Sequence, residues 1–127
     1  MESFMDVIKT GKIAVLKGSD PKGIFAFTRM QIMHNFSDCY TSFIEGNAYL
    51  DEMDIRMMIM EDDTEIILLN ATNCDDNVFP YLETLVNKIG IIVCVDELRD
   101  IMSKDNFVVY EVDDKGELGR AFTGKDN

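Results

Sequence analysis

The apolar residues of this chain come in short unbroken runs, and that limits its fold more than any other feature. Ile66, Ile67, Leu68 and Leu69 are consecutive, and Ile91 to Val95 is a further run without a polar break. Such runs are short for a helix, and in a strand, whose side chains alternate between faces, an unbroken run must be covered on both sides. The strand at Ile66 is therefore expected to lie centrally in a sheet, or to meet a partner with its outer face.

Clusters of turn-forming residues separate the runs: Gly18 to Gly23, Asp62-Asp63-Thr64, and Asp113 to Gly116. If each cluster folds the chain back on itself, three hairpins result. They pair Lys12–Lys17 with Ile24–Met33, Asp54–Glu61 with Glu65–Asn70, and Phe107–Val112 with Leu118–Phe122. Helices are expected at Ser3–Thr10, capped by Ser3 and ended by Gly11, and from Asp76 or Asn77 to about Ile89, with Pro80 in its first turn and Gly90 as its stop. A brief helix should follow from Asp96 to Ser103. Between His34 and Glu52 the apolar residues recur at helical spacing, with Ser37 as cap and Gly46 as stop, so a helix is expected there, although a strand fits nearly as well.

The expected fold is thus α+β: a single compact domain over residues 1–123, with a mainly antiparallel sheet of hairpins packed with two to four short helices. Residues 124–127 form a frayed tail. The order helix, strand, strand, helix, strand, strand, helix resembles that of small regulatory domains of the roadblock and profilin kind, at the level of element order alone. With 46% hydrophobic and 28% charged residues in 127, the chain can bury a real core without staples.

Cys39, Cys74 and Cys94 have no paired short spacing, so neither a disulfide framework nor a zinc site is expected, and buried free thiols are the better reading. The N-terminus lacks the cationic start and apolar stretch of a signal peptide, and no uncharged run is long enough for a membrane helix. A cytoplasmic protein is expected, or one working in a host's cytoplasm if a virus encodes it.

No motif for chemistry stands up. His34, Ser37 and Asp38 lie close together, but catalytic triads gather residues from distant segments, and a lone histidine excludes the two-histidine metal motifs. Gly18 to Gly23, with Lys22, superficially suggests a phosphate loop, yet such a loop must open a helix and Ile24 onward reads as a strand. Asp113 to Glu117 lacks the ligand pattern of a calcium loop. No enzyme activity, metal or cofactor is expected.

Charge is the one loud functional signal. The chain carries 24 acids against 12 Lys and Arg, for a net charge of -12. Between Met30 and Asn87, Arg56 is the only cation. That balance opposes direct nucleic-acid binding and favours a basic partner. The densest part runs from Asp51, Glu52 and Asp54 to Glu61, Asp62, Asp63 and Glu65, with Asp75 and Asp76 able to extend it. Read as a strand, this hairpin spaces its carboxylates by roughly 6.5–7 Å, much like phosphates on a nucleic-acid strand, and it leaves Met58 and Met60 exposed beside them.

The leading expectation is a non-enzymatic acidic binding protein that inhibits or neutralises a basic protein, one that processes nucleic acid or binds DNA. Viral anti-defence inhibitors and toxin-immunity proteins act in this way. Those eleven residues, Asp51 to Asp76, are its expected contact set. The alternative is a protein that binds or sequesters a small anionic ligand or nucleotide, in a homo-oligomer or alone, with Arg29, Arg56 and Arg120 as anion forks. A small enzyme ranks third.

Overall fold

The computed structural model describes residues 11–59 and 63–112 and the backbone of 118–123. Its strands are β1 (Ile13–Lys17), β2 (Thr41–Ile44), β3 (Ile66–Asn70), β4 (Gly90–Val95), β5 (Phe107–Val112) and β6 (Leu118–Thr123). Three α-helices lie between them: α1 (Pro21–Asn35), α2 (Glu52–Met58) and α3 (Val78–Glu83), with a 3-10 helix at Asp100–Ser103. The sheet order is β2-β3-β4-β1-β5-β6. The first five strands in that order are parallel, and only β6 pairs antiparallel, along β5.

This overturns the expected antiparallel sheet of hairpins, and with it the likeness to roadblock and profilin domains. The fold is α/β, resembling a doubly wound sheet. Of the expected hairpins only Phe107–Val112 with Leu118–Phe122 forms. The physical reason was already visible in the unbroken apolar runs. Every residue of β3 is buried, as are the last five of β4, because helices cover both faces of a parallel sheet.

Two segments read as strands are helices. Asp20 caps α1, its carboxylate accepting from the Gly23 N–H at 3.1 Å, and Pro21 occupies the first turn, where a missing N–H costs nothing. Ile24, Phe25, Thr28 and Ile32 then form its buried stripe at helical spacing. Asp51 and Asp54 form a capping box at the start of α2: each side chain accepts from the other's backbone N–H, at 3.0 and 2.9 Å. Between His34 and Glu52 the expected helix from Ser37 to Gly46 does not form: the segment holds the end of α1 and strand β2, which pairs parallel with β3. The helix begun near Asn77 ends at Glu83, and the chain reaches Ile89 in turns. The helix expected at Ser3–Thr10 and the calcium-like loop at Asp113–Glu117 lie outside the described residues.

The core has two layers. On one face Ile13, Val15, Ile67, Leu69, Ile91 and Val93 pack against Ile55 of α2, the apolar side of α3, and Met102. On the other, Ala14, Leu16, Leu68, Ile92 and Cys94 pack against Ile24, Phe25 and Ile32 of α1. One long helix thus covers one face, and the short helices cover the other. Among the described residues no helix is long and apolar enough to cross a membrane.

Candidate functional site

Parallel strands bring their following loops to one end of the sheet, and ligand sites in such folds form there. Here the loops after β1, β2, β3 and β4 make up that rim. The chain leaves β1 for the α1 face but leaves β4 for the opposite face, so adjacent β1 and β4 form a switch point.

That crevice does not suit an anion. Gly18 donates to the Val95 carbonyl at 3.1 Å, and a Cβ on Gly18 would come within 2.7 Å of Ile24 Cδ1, so backbone and side chain already fill the space. The nearby side chains Asp20, Asp96 and Glu97 are exposed carboxylates. Because Gly18 to Gly23 does open a helix, the reason given against a phosphate loop falls. A different obstacle replaces it: Asp20 fills the helix N-terminus with its own negative charge, and Pro21 removes a donor.

Several of the residues predicted from the acidic run hold local structure. Asp51 and Asp54 cap α2. Glu52 pairs with Arg56 at 2.7 Å, and the Arg56 guanidinium lies 4.2 Å from the centre of the Tyr81 ring. Glu65 accepts from the Tyr40 N–H at 3.1 Å. Asp75 accepts from the Tyr49 hydroxyl and from the Asn77 N–H. Those bonds, Tyr49's first, hold its carboxyl below the usual range, and the same contact pushes the Tyr49 hydroxyl up to about 12. Asp76 pairs with Arg99 at 2.8 Å. Asp63 is exposed, while Met60, Glu61 and Asp62 lie outside the described residues. Since Glu52–Met58 is helical, the strand-like carboxylate spacing proposed as a phosphate imitation does not hold.

What the helix does present is an apolar ridge. Ile55 faces the core, so Met53 and Met57, one turn apart on the opposite side, point outward and are 62% and 80% exposed. Met58 on the same helix and Tyr49 just before it are also exposed, at 52% and 63%, with Asp51, Glu52 and the Tyr49-bonded Asp75 at the helix's N-terminal end. The expected contact set holds Met58 but not Met53, Met57 or Tyr49, because a strand register places Met57 on the face of Ile55. The Asp51-x-x-Asp54 capping signal would have revealed the helix and hence the ridge.

The three proposed anion forks do not assemble. Arg29 is on α1 and Arg56 on α2, on opposite faces of the sheet, and Arg120's side chain lies outside the described residues. Arg29 does line an open cleft of about 330 Å³ between α1 and the ends of β2 and β3. His34 is exposed in the last turn of α1, and among the described residues no cluster of three acids, histidines or cysteines could hold a metal. Compared with known proteins, the chain matches no family model and shows no significant similarity to a curated protein.

Proposed function

We propose that the chain is a non-enzymatic acidic binding protein that engages a basic protein, using the α2 ridge and the carboxylates beside it. The observation that supports this reading is the pairing of exposed methionines with negative charge on one surface. Met53, Met57 and Met58 offer adaptable apolar contact, while Asp51, Glu52 and Asp75 add to a net charge of -12 that attracts cations from a distance. The partner class that best fits is a protein whose basic surface normally meets nucleic acid. The reading no longer depends on a strand-like carboxylate row.

Quantitative capture from a cognate lysate tests it, comparing the native chain with a Met53→Glu/Met57→Glu variant at low and high salt. The expected result is enrichment of basic proteins at low salt, lost both at high salt and in the variant. Captured proteins that are not basic, or that the variant retains equally, would overturn the reading.

A further inference from the structure

The cleft between α1 and the ends of β2 and β3 stands apart from the acidic surface in its chemistry. Lys22, Arg29 and Met30 project into it from α1 at the spacings that share one helix face, and Phe25 forms its buried floor. Opposite them, Glu45 and Asn47 follow β2, and Asn70 ends β3. In a chain with twice as many acids as bases, this surface brings two cations together against one carboxylate.

The parts are held in place. Arg29 lies 5.0 Å from the centre of the Phe43 ring and 3.6 Å from Glu45, which orients a half-exposed guanidinium while leaving donors unused. Lys22 makes no ion pair with any described carboxylate. Asn70 is 3% exposed, and its Oδ1 accepts from the N–H and the hydroxyl of Thr72, so its Nδ2 remains as a donor. Gly46 sits at φ 66°, and any Cβ there would collide with the Asn70 carbonyl oxygen. Close approach of Gly46 to β3 thus sets where Glu45 and Asn47 stand.

We propose that this cleft binds a small organic monocarboxylate with an apolar body. Its volume is at the lower end of ligand sites, and it opens beside the carboxyl ends of the parallel strands β2 and β3, away from the switch point. Arg29 and Lys22 hold the carboxylate, while Phe25 and Met30 take the apolar body. Glu45 selects one negative charge over two, because it repels the second charge of a phosphate and already uses part of Arg29. This site is separate from the α2 ridge and does not depend on the partner proposed above.

The test is a titration of the isotopically labelled full chain with phenylacetate, followed by amide NMR, with benzyl alcohol and inorganic phosphate as controls. Saturable shifts confined to Lys22–Met30, Glu45–Asn47 and Asn70 are expected with phenylacetate alone. Arg29→Gln should weaken binding about tenfold, equivalent to about 1.4 kcal/mol. Arg29→Lys, which keeps the charge, should lose less, and both variants should keep native spectra elsewhere. No saturation with phenylacetate by about 10 mM, far weaker than ordinary specific sites, overturns the proposal. Equal binding of benzyl alcohol or phosphate, shifts elsewhere, or an unchanged affinity in Arg29→Gln does so too.

Discussion

Replacing Arg99 should be among the most damaging single changes to a partly exposed side chain in this protein, and its neighbour Asp76 should matter far less. Arg99 Nη1 donates to the Cys74 carbonyl at 2.7 Å and to Asp76 at 2.8 Å, and Nη2 donates to the Ala71 carbonyl at 2.9 Å. Its guanidinium also lies 5.1 Å from the centre of the Phe79 ring. One side chain therefore fastens the loop after β3 to the loop after β4, and with it the start of α3. Its side chain is 24% exposed, whereas that of Asp76 is 86% exposed.

A hydrogen bond from a charged donor contributes about 1.5–3 kcal/mol when well buried. Two such bonds go to backbone carbonyls, which water would partly rehydrate once the arginine is gone, so Arg99→Ala should cost about 2–4 kcal/mol. The exposed ion pair with Asp76 contributes about 0–1 kcal/mol, and Asp76→Ala should cost no more than that. Arg99→Lys keeps the charge but loses the planar fork that reaches three acceptors, and should recover less than half of the loss. Urea unfolding checks this: with a slope of about 2 kcal/mol per molar, Arg99→Ala should lower the midpoint by about 1–2 M. If Asp76→Ala proves as harmful as Arg99→Ala, or if Arg99→Ala costs under about 0.5 kcal/mol, then the carbonyl bonds do not hold these loops together.

The Tyr49–Asp75 contact should show in titrations. Asp75 has a lowered pKa in the folded state, so its contribution is present above the unfolded carboxyl value and lost as pH falls through the folded one. Tyr49 has a raised one, so its contribution is complete below the unfolded tyrosine value and lost as pH rises through about 12. Tyr49→Phe should move the Asp75 midpoint upward in a carbon-detected NMR titration, and an unmoved midpoint would remove Tyr49 as its cause. Thiol labelling should separate the cysteines. Cys39 is half-buried, whereas burial encloses Cys74 and Cys94 and pushes their thiols up to about 11 and about 12. In the native state an aromatic disulfide reagent should label Cys39 rapidly and the other two only on unfolding; rapid labelling of Cys94, located by peptide mass, would contradict its place beneath α1.

Much of the strand content could be read from the residues, because a short apolar run bounded by turn residues states its own limits. β1, β3, β4 and β5 fall where those runs fall, Pro80 lies in the first turn of its helix, and β6 pairs antiparallel with β5. Even the burial of both faces of Ile66–Leu69 was legible. The partners of those strands were not. A cluster such as Gly18 to Gly23 marks where the chain turns, but it does not say whether the next segment pairs with the last one or crosses over the sheet.

That ambiguity decided the largest errors. Asp20-Pro21 serves equally as a turn and as a helix cap, and Asp51 and Asp54 serve equally as strand-flanking acids and as a capping box. Only burial of Ile24, Phe25 and Ile32 against one face of the sheet, and of Ile55 against the other, selects the helices. The overall negative charge is a property of the sequence alone, since no folding changes the count. Its meaning is tertiary: the fold assigns Asp51 to a helix cap, Glu65 to the Tyr40 N–H and Asp76 to Arg99. The fold also gathers Lys22, Arg29, Glu45 and Asn70 into one cleft from three separate strand and helix ends. Residues so far apart in the chain meet only because parallel pairing needs long crossovers, and that pairing leaves no local trace in the sequence.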